Sequence, residues 1–364
     1  MTQLRTIQAL RAIAALAVMF AHLHGIEARQ TGEIPLISGA WIAGVSGVDL
    51  FFVISGFIMV WVAGETPPSV RNAGTFLFAR VMRIYPLWWL FAGAMAVYLL
   101  LTYGQPWDAQ KIAAVNVGGV EHMVKSFLLI PHDAFPILPL GWTLIHEMYF
   151  YVVFALLLLL PQSFRIRAMI IWTLLILAGI SAQLTGFYAD NLISLILFPM
   201  TLEFLMGAGV AWMIKAGWTQ WRWPALALGL FGFGWAFYAV NFRDTTALLA
   251  IARTFSYGPA FALIVYACVA FEVERGIGRF VPASLVYLGD WSYSLYLCHL
   301  LVISALARIF FLMFAQEGYV DNAIFIGLAI MASIGVAGLT YRFFEQPVIS
   351  ASRTARKSWF APRS

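Results

Sequence analysis

Runs of about twenty apolar residues recur along the whole 364-residue chain, and nothing else in it restricts the possible folds so severely. A stretch of that length crosses a bilayer as a helix, because hydrocarbon offers the backbone no hydrogen-bond partners and a helix supplies its own. Polar and Gly/Pro punctuation divides the chain into ten such segments, at about 8–27, 41–62, 76–103, 141–161, 167–185, 192–214, 223–240, 250–271, 288–314 and 322–344. The third is the least clean, because Arg80 and Arg83 precede Tyr85-Pro86 and the fully apolar part starts only there. Charged residues are 11% of the chain and hydrophobic residues 62%, against roughly a quarter charged in soluble domains. A soluble enzyme with a single anchor is therefore excluded. The expected fold class is an all-α polytopic membrane protein with about ten transmembrane helices, one integral-membrane domain over 1–347 and a basic tail over 348–364. Only Met-Thr-Gln-Leu-Arg precedes the first run and no small-residue cleavage site follows it, which reads as a retained helix and not a signal peptide. Cys268 and Cys298 lie within apolar runs, without CxxC or Cys/His spacing, so neither a disulfide nor a metal site is implied.

The net charge of +5 matters less than where the cations fall. With the N-terminus inside, the inner segments hold Arg5, Arg71, Arg80, Arg83, Arg165, Arg167, Lys215, Arg222, Arg275, Arg279, Arg353, Arg356, Lys357 and Arg363, while the outer ones hold Arg29, Lys111, Lys125 and Arg243. Fourteen against four is a strong positive-inside bias and places both termini in the cytoplasm. The longest connection, about 104–140, then lies outside and carries His122, His132, Asp133 and four prolines. Its MVKSFLLI stretch is apolar enough to lie along the membrane surface or to re-enter it.

Arg11, His22, Asp49, His146, Glu147, Glu203, His299 and Glu345 all fall within or at the edges of the apolar segments. Each costs roughly 2.5–3.5 kcal/mol at the centre of a membrane helix, so together they point to a function. Arg11 and His22 are eleven residues apart, three turns plus about 20°, and share one helix face with about 16 Å between them along the axis. They line one channel, or else Arg11 snorkels to the interface while His22 bonds a neighbouring helix. Asp49, in GVDLFFVISGF, is placed to orient an imidazole, to bind a sugar hydroxyl or to cap a helix, whereas Ser55 in the same motif reads as a backbone-bonding residue. Arg80 and Arg83, one turn apart before a proline, suit either interfacial anchoring or a di-anionic phosphate. His146 and Glu147 are adjacent and point about 100° apart, so they do not act as a direct pair. Glu203 and Arg253 read as an ion pair between helices, and Glu345 as a terminal salt bridge with Arg342. The hydroxyl-rich LGDWSYSLYLCH stretch, with Tyr293 and His299, faces a sugar or bonds other helices.

Taken in order, LRAIAALAVMFAH, GVDLFFVISGF, FARVMRIYP, GWTLIHEMYFY, LGDWSYSLYLCH and YRFFEQP resemble the membrane O-acyltransferases of acyltransferase family 3, and most of all those that decorate bacterial exopolysaccharides. The resemblance covers residues 8–347. It implies a ten-helix bundle of the bacterial inner membrane that takes an acyl group, commonly acetyl, from cytoplasmic acyl-CoA. The acyl group esterifies a sugar hydroxyl of an exopolysaccharide or of its lipid-linked precursor. It also implies that Arg11 and His22 match the family's Arg-x10-His pair, Arg80 and Arg83 its basic pair, and Glu147 its glutamate after the Trp-containing motif. His146 departs from the small apolar residue usual before that glutamate, and no hydrolase-like domain follows the last helix.

On this basis His22 is the expected general base, with its tautomer fixed by Glu147 or Asp49. Arg80 and Arg83, assisted by Arg11, hold the phosphates of acetyl-CoA, and the donor's pantetheine arm matches the interval from Arg11 to His22. Trp142, His146, Tyr293 and His299 are the expected acceptor contacts, and no metal takes part. A covalent acyl-histidine or acyl-serine relay stays open. The expected partners are acyl-CoA, a sugar, polysaccharide or lipid-linked oligosaccharide acceptor and the bilayer, with no nucleic acid. The oligomeric state is left open, a homodimer included. Secondary transporters and proton-coupled carriers also bury Arg, His, Asp and Glu. They often carry internal repeats and broken helices in matching halves, and neither is evident here. A non-catalytic polysaccharide-export partner has little use for an Arg-x10-His face.

Overall fold

Each apolar run becomes helical over its described residues. The computed structural model describes residues 3–31, 35–184, 191–242, 249–313 and 319–359. In chain order the helices are α1 (Arg5–Thr31), α2 (Gly47–Ala63), α3 (Val70–Tyr103), α4 (Ala109–Ala114), α5 (Gly119–Leu128), α6 (Gly141–Leu157), α7 (Gln162–Leu184), α8 (Asn191–Ile196), α9 (Thr201–Lys215), α10 (Arg222–Phe242), α11 (Leu249–Arg275), α12 (Ala283–Asp290), α13 (Ser292–Met313), α14 (Tyr319–Thr340) and α15 (Gln346–Trp359). A 3-10 segment, Gly39–Ser46, leads into α2, and a π-helical turn, Tyr341–Glu345, joins α14 to α15. No strand forms among the described residues. Among the described residues eight spans are long and apolar enough to cross a membrane, and α6, with 17 residues, is a shorter apolar helix. The tenth expected position is α10, 21 residues interrupted by Gly229, Gly232 and Gly234. The chain is an all-α, multi-pass membrane protein. Arg243 and Arg363, used above for orientation, lie outside the described residues, as do residues 185, 314 and 360–364.

The third segment departs from expectation. It begins at Val70, capped by Ser69 Oγ accepting from Asn72 N at 3.0 Å, and runs unbroken for 34 residues to Tyr103 with Pro86 inside it. At 1.5 Å per residue that is about 51 Å, well beyond the roughly 30 Å of a bilayer core. Arg80 and Arg83 therefore sit inside a continuous helix and not at its end. The expected basic tail is helical through Trp359 and packs along α3.

The long connection folds inward. Tyr85 Oη, Trp88 Nε1 and Trp89 Nε1 donate to the carbonyls of Leu128, Ser126 and Phe127 at 2.8, 3.1 and 2.9 Å. These carbonyls lie at the C-terminal end of α5, where a helix leaves its acceptors unpaired. Their donors lie near the middle of α3, so α5 descends to about half the depth of the bundle. The chain then turns, with Ser126 Oγ accepting from Ile137 N at 3.1 Å, and starts α6 at Gly141, which lies against the Trp88 ring where no side chain fits. The short apolar α6 thus starts where the inward-folded connection ends.

Two glycines set the core. Gly56 of α2 lies against the backbone of Phe204 and Gly207 of α9 against that of Val53, so the two helices touch backbone to backbone. At the opposite edge of the bundle Glu272 accepts from Arg5 N, Thr6 N and Thr6 Oγ1 at 2.9, 2.8 and 2.5 Å, which caps α1 with a carboxylate from α11.

Candidate active site

The face shared by Arg11 and His22 looks toward α12 and α13, along which α1 packs. Arg11 reaches a cavity of about 750 Å³ that is also lined by Arg80 and Arg83 of α3, Ser55 of α2, Glu147 and Tyr151 of α6, and Tyr293 of α13. Arg11 Nη1 donates to Gln8 Oε1 at 3.1 Å. The Arg80 guanidinium lies over the rings of Phe76 and Tyr151, 5.2 and 5.5 Å from their centroids, and its buried Nε has no hydrogen-bond partner among the described residues. Glu147 Oε1 accepts from Ser55 Oγ at 3.1 Å and, in a short bond, from Tyr151 Oη. Tyr293 Oη donates to the Ile84 carbonyl at 3.0 Å, one residue beyond Arg83. Among the described residues none of the three arginines is within salt-bridge distance of a carboxylate.

Glu345, expected to pair with Arg342, instead turns inward on the π-helical turn and accepts from Ser294 Oγ at 2.6 Å. It adds a second carboxylate whose field reaches Arg11 and Arg83. The far end of the cavity is marked by Thr143 and Tyr296, whose hydroxyls lie 2.9 Å apart.

His22 lies beyond that end, against His299. Its Nδ1 is 2.9 Å from the Val18 carbonyl and 3.3 Å from His299 Nε2, and the His299 ring neighbours Tyr296 at 6.1 Å between centroids. The expectation that Glu147 or Asp49 orients His22 is corrected by this arrangement. Glu147 faces the arginines one face of α6 away. Asp49, wholly buried, is ion-paired with Arg253 at 2.5 Å, and Arg253 also donates to Val45 O at 3.1 Å. Arg253 therefore takes Asp49 and not the expected Glu203, whose two buried oxygens have no hydrogen-bond partner among the described residues. His299, an expected acceptor contact, is fully buried, with Nδ1 on the Leu295 carbonyl at 3.0 Å and Nε2 on His22.

Trp142 and His146 occupy the other face of α6. They line a second cavity of about 1070 Å³ together with Phe198 and residues 131–136 of the inward-folded connection, including His132 and Asp133. His146 stacks on Phe198 at 4.1 Å between centroids, and its Nδ1 is buried without a hydrogen-bond partner among the described residues. One helix thus presents Thr143, Glu147 and Tyr151 to the first cavity and Trp142 and His146 to the second.

Sequence reasoning missed Tyr151, Glu345 and the histidine pair. Tyr151 follows Glu147 by four residues, a spacing that puts both on one helix face and was legible. The inward aim of Glu345 depends on the π-helical turn, which has no sequence signal here. The histidine pair joins residues 277 positions apart.

A domain described as an acyltransferase domain matches residues 4–342. The exopolysaccharide production protein ExoZ of Rhizobium meliloti is 29% identical over 333 residues, which cover 86% of this chain and 92% of the relative. The acyltransferase MdmB of Streptomyces mycarofaciens is 27% identical, over 95% of this chain and 91% of the relative. Protein 2 in the picA locus of Rhizobium radiobacter is 28% identical over 40% of this chain and 78% of its own. No solved structure matches the chain. With the domain running from its first helix through its last membrane span, the chain belongs to the acyltransferase family.

Proposed function

We propose that this acyltransferase carries an acetyl group from acetyl-CoA on the cytoplasmic side to a sugar hydroxyl of an exopolysaccharide or its lipid-linked precursor, in the bacterial inner membrane. The guanidinium groups of Arg11, Arg80 and Arg83, none of which has a carboxylate in salt-bridge range among the described residues, carry this reading. Three cations in one half-buried cavity without a carboxylate in salt-bridge range are costly by themselves and are compensated by a polyanion, for which a nucleotide diphosphate matches the guanidinium forks. The charge bias toward the end that holds both termini supports donor entry from the cytoplasm. The similarity to a protein named for exopolysaccharide production supports the acceptor class. Arg356 on α15 lies close enough to Arg80 to act on its charge and extends the basic surface toward that side.

In this mechanism the phosphates stay at the arginines and the acylated arm extends past Thr143 and Tyr296 toward His22. His22 Nε2 takes the proton of the acceptor hydroxyl as its oxygen attacks the thioester carbonyl. The carbon–sulfur bond then breaks, and the leaving thiolate recovers that proton from the imidazolium. Trp142 and His146 hold the acceptor from the second cavity. Tyr151 supports Arg80 through its ring and is itself fixed by Glu147, and neither contacts the histidine.

Purified protein in lipid nanodiscs tests the reading with acetyl-CoA and a glycan or glycolipid acceptor. Ester formation that requires both, and that His22→Ala abolishes while CoA still binds, is the expected result. Undiminished transfer by His22→Ala refutes the base assignment, and a protein that neither binds CoA nor forms ester refutes the reading as a whole.

A further inference from the structure

Two constraints fix where the hydrogens of the histidine pair lie. A carbonyl oxygen only accepts, so the 3.0 Å approach of His299 Nδ1 to Leu295 O requires a hydrogen on Nδ1. The neutral ring then has a lone pair on Nε2. Likewise, the 2.9 Å approach of His22 Nδ1 to Val18 O requires a hydrogen on His22 Nδ1. The two requirements agree, because the 3.3 Å contact joins His22 Nδ1, a donor, to His299 Nε2, an acceptor. His22 Nε2 is left with its lone pair and with no hydrogen-bond partner among the described residues.

We propose that His299 is a positioning residue that holds His22 in its Nδ1–H tautomer and receives the charge-assisted hydrogen bond when His22 becomes an imidazolium. This rests on the reading of His22 as the base. In many enzymes a carboxylate performs this service, and holding the wrong tautomer there costs about 10⁴ in kcat. A carboxylate is a poor choice at this depth, because an ionised one needs compensation that the apolar surroundings do not supply. A neutral imidazole, itself locked by a carbonyl one turn back, accepts the same hydrogen without a buried charge. Val18 O still holds part of the donor when His299 is lost. The expected loss is therefore that of one charge-assisted hydrogen bond, about tenfold to a hundredfold in kcat.

The test compares His299→Phe, which keeps a ring but offers no acceptor, with His299→Gln, whose amide oxygen reaches the position of Nε2. His299→Phe is expected to lower kcat by about tenfold to a hundredfold with donor KM unchanged, and His299→Gln to retain most of the activity. Nitrogen-15 spectra of His22 in nanodiscs should show the Nδ1–H tautomer in the unaltered protein and in His299→Gln, and a tautomer mixture in His299→Phe. Unchanged kcat in His299→Phe, or equal loss in both variants with the His22 tautomer unaltered, overturns the proposal. An Nε2–H tautomer for His22 in the unaltered protein overturns it even where a variant fails to fold. Activity surviving in His22→Ala is a different result: it removes the base assignment on which the proposal stands.

Discussion

Arg80 gives a test in which two measurements move in opposite directions. Among the described residues its guanidinium has no carboxylate within salt-bridge range and its Nε is unpartnered, so its placement among membrane helices costs roughly 2.5–3.5 kcal/mol. The faces of Phe76 and Tyr151 return about 2 kcal/mol of this as two cation–π contacts. Arg80→Leu removes the charge without burying a new polar group, and the unliganded protein should gain about 1 kcal/mol in stability. Under the proposed function the same substitution deletes a charge-assisted contact to a donor phosphate worth about 1.5–3 kcal/mol. At 1.4 kcal/mol per tenfold, CoA affinity should fall by about 12-fold to 150-fold. Thermal unfolding in detergent reads the first quantity and titration calorimetry with CoA the second. A purely structural arginine gives the reverse pattern, with lost stability and unchanged CoA binding, and that outcome would refute the reasoning.

Three further expectations concern parts of the protein away from the donor cavity. Asp49→Asn and Arg253→Leu each leave one half of a buried ion pair uncompensated and should each lower stability by about 3–5 kcal/mol, with the double variant less affected than the sum; a thermal-unfolding double-mutant cycle measures this. Gly207→Ala drives a methyl into the α2 backbone at Val53 and should cost about 3 kcal/mol or prevent folding, whereas Gly209→Ala meets no atom within 4 Å and should be neutral, as size-exclusion profiles and unfolding curves will show. His122, nearly fully buried in α5, has its Nδ1 3.2 Å from His132 Nε2, so His122→Ala removes a contact between α5 and the returning chain, and hydrogen exchange over residues 119–137 should accelerate relative to the unaltered protein.

How much of this was visible in the sequence depends on whether the cause is local. The apolar runs, the common face of Arg11 and His22 and the 100° divergence of His146 from Glu147 follow from helical periodicity alone. Partner choice across helices does not. Arg253 had two carboxylates within reach, and only the depth at which α2 and α11 cross gives it Asp49 instead of Glu203. Pro86 reads as a helix stop because proline removes a hydrogen bond, yet α3 continues through it. That continuation puts Arg80 and Arg83 within one helix, where they line the first cavity. The descent of α5 was left between two readings by composition; Tyr85, Trp88 and Trp89, which fix it, are forty residues earlier in the chain.

The inward fold of α5 ahead of α6 has a physical logic under the proposed reaction. Moving a phosphate-sized ion into low dielectric costs of order 20 kcal/mol before compensation, so the charged end of the donor has to stay where the arginines are. An acylated pantetheine arm carries no charge, and its amides need only hydrogen bonds. The donor cavity fits that division: guanidinium groups at one end, then Tyr293, Ser292, Thr143 and Tyr296, with Ser292 Oγ buried and unpartnered among the described residues. The second cavity lies against the other face of α6. Under the proposed function the donor then occupies one face of α6 and the acceptor the other, and only the acyl group passes between them.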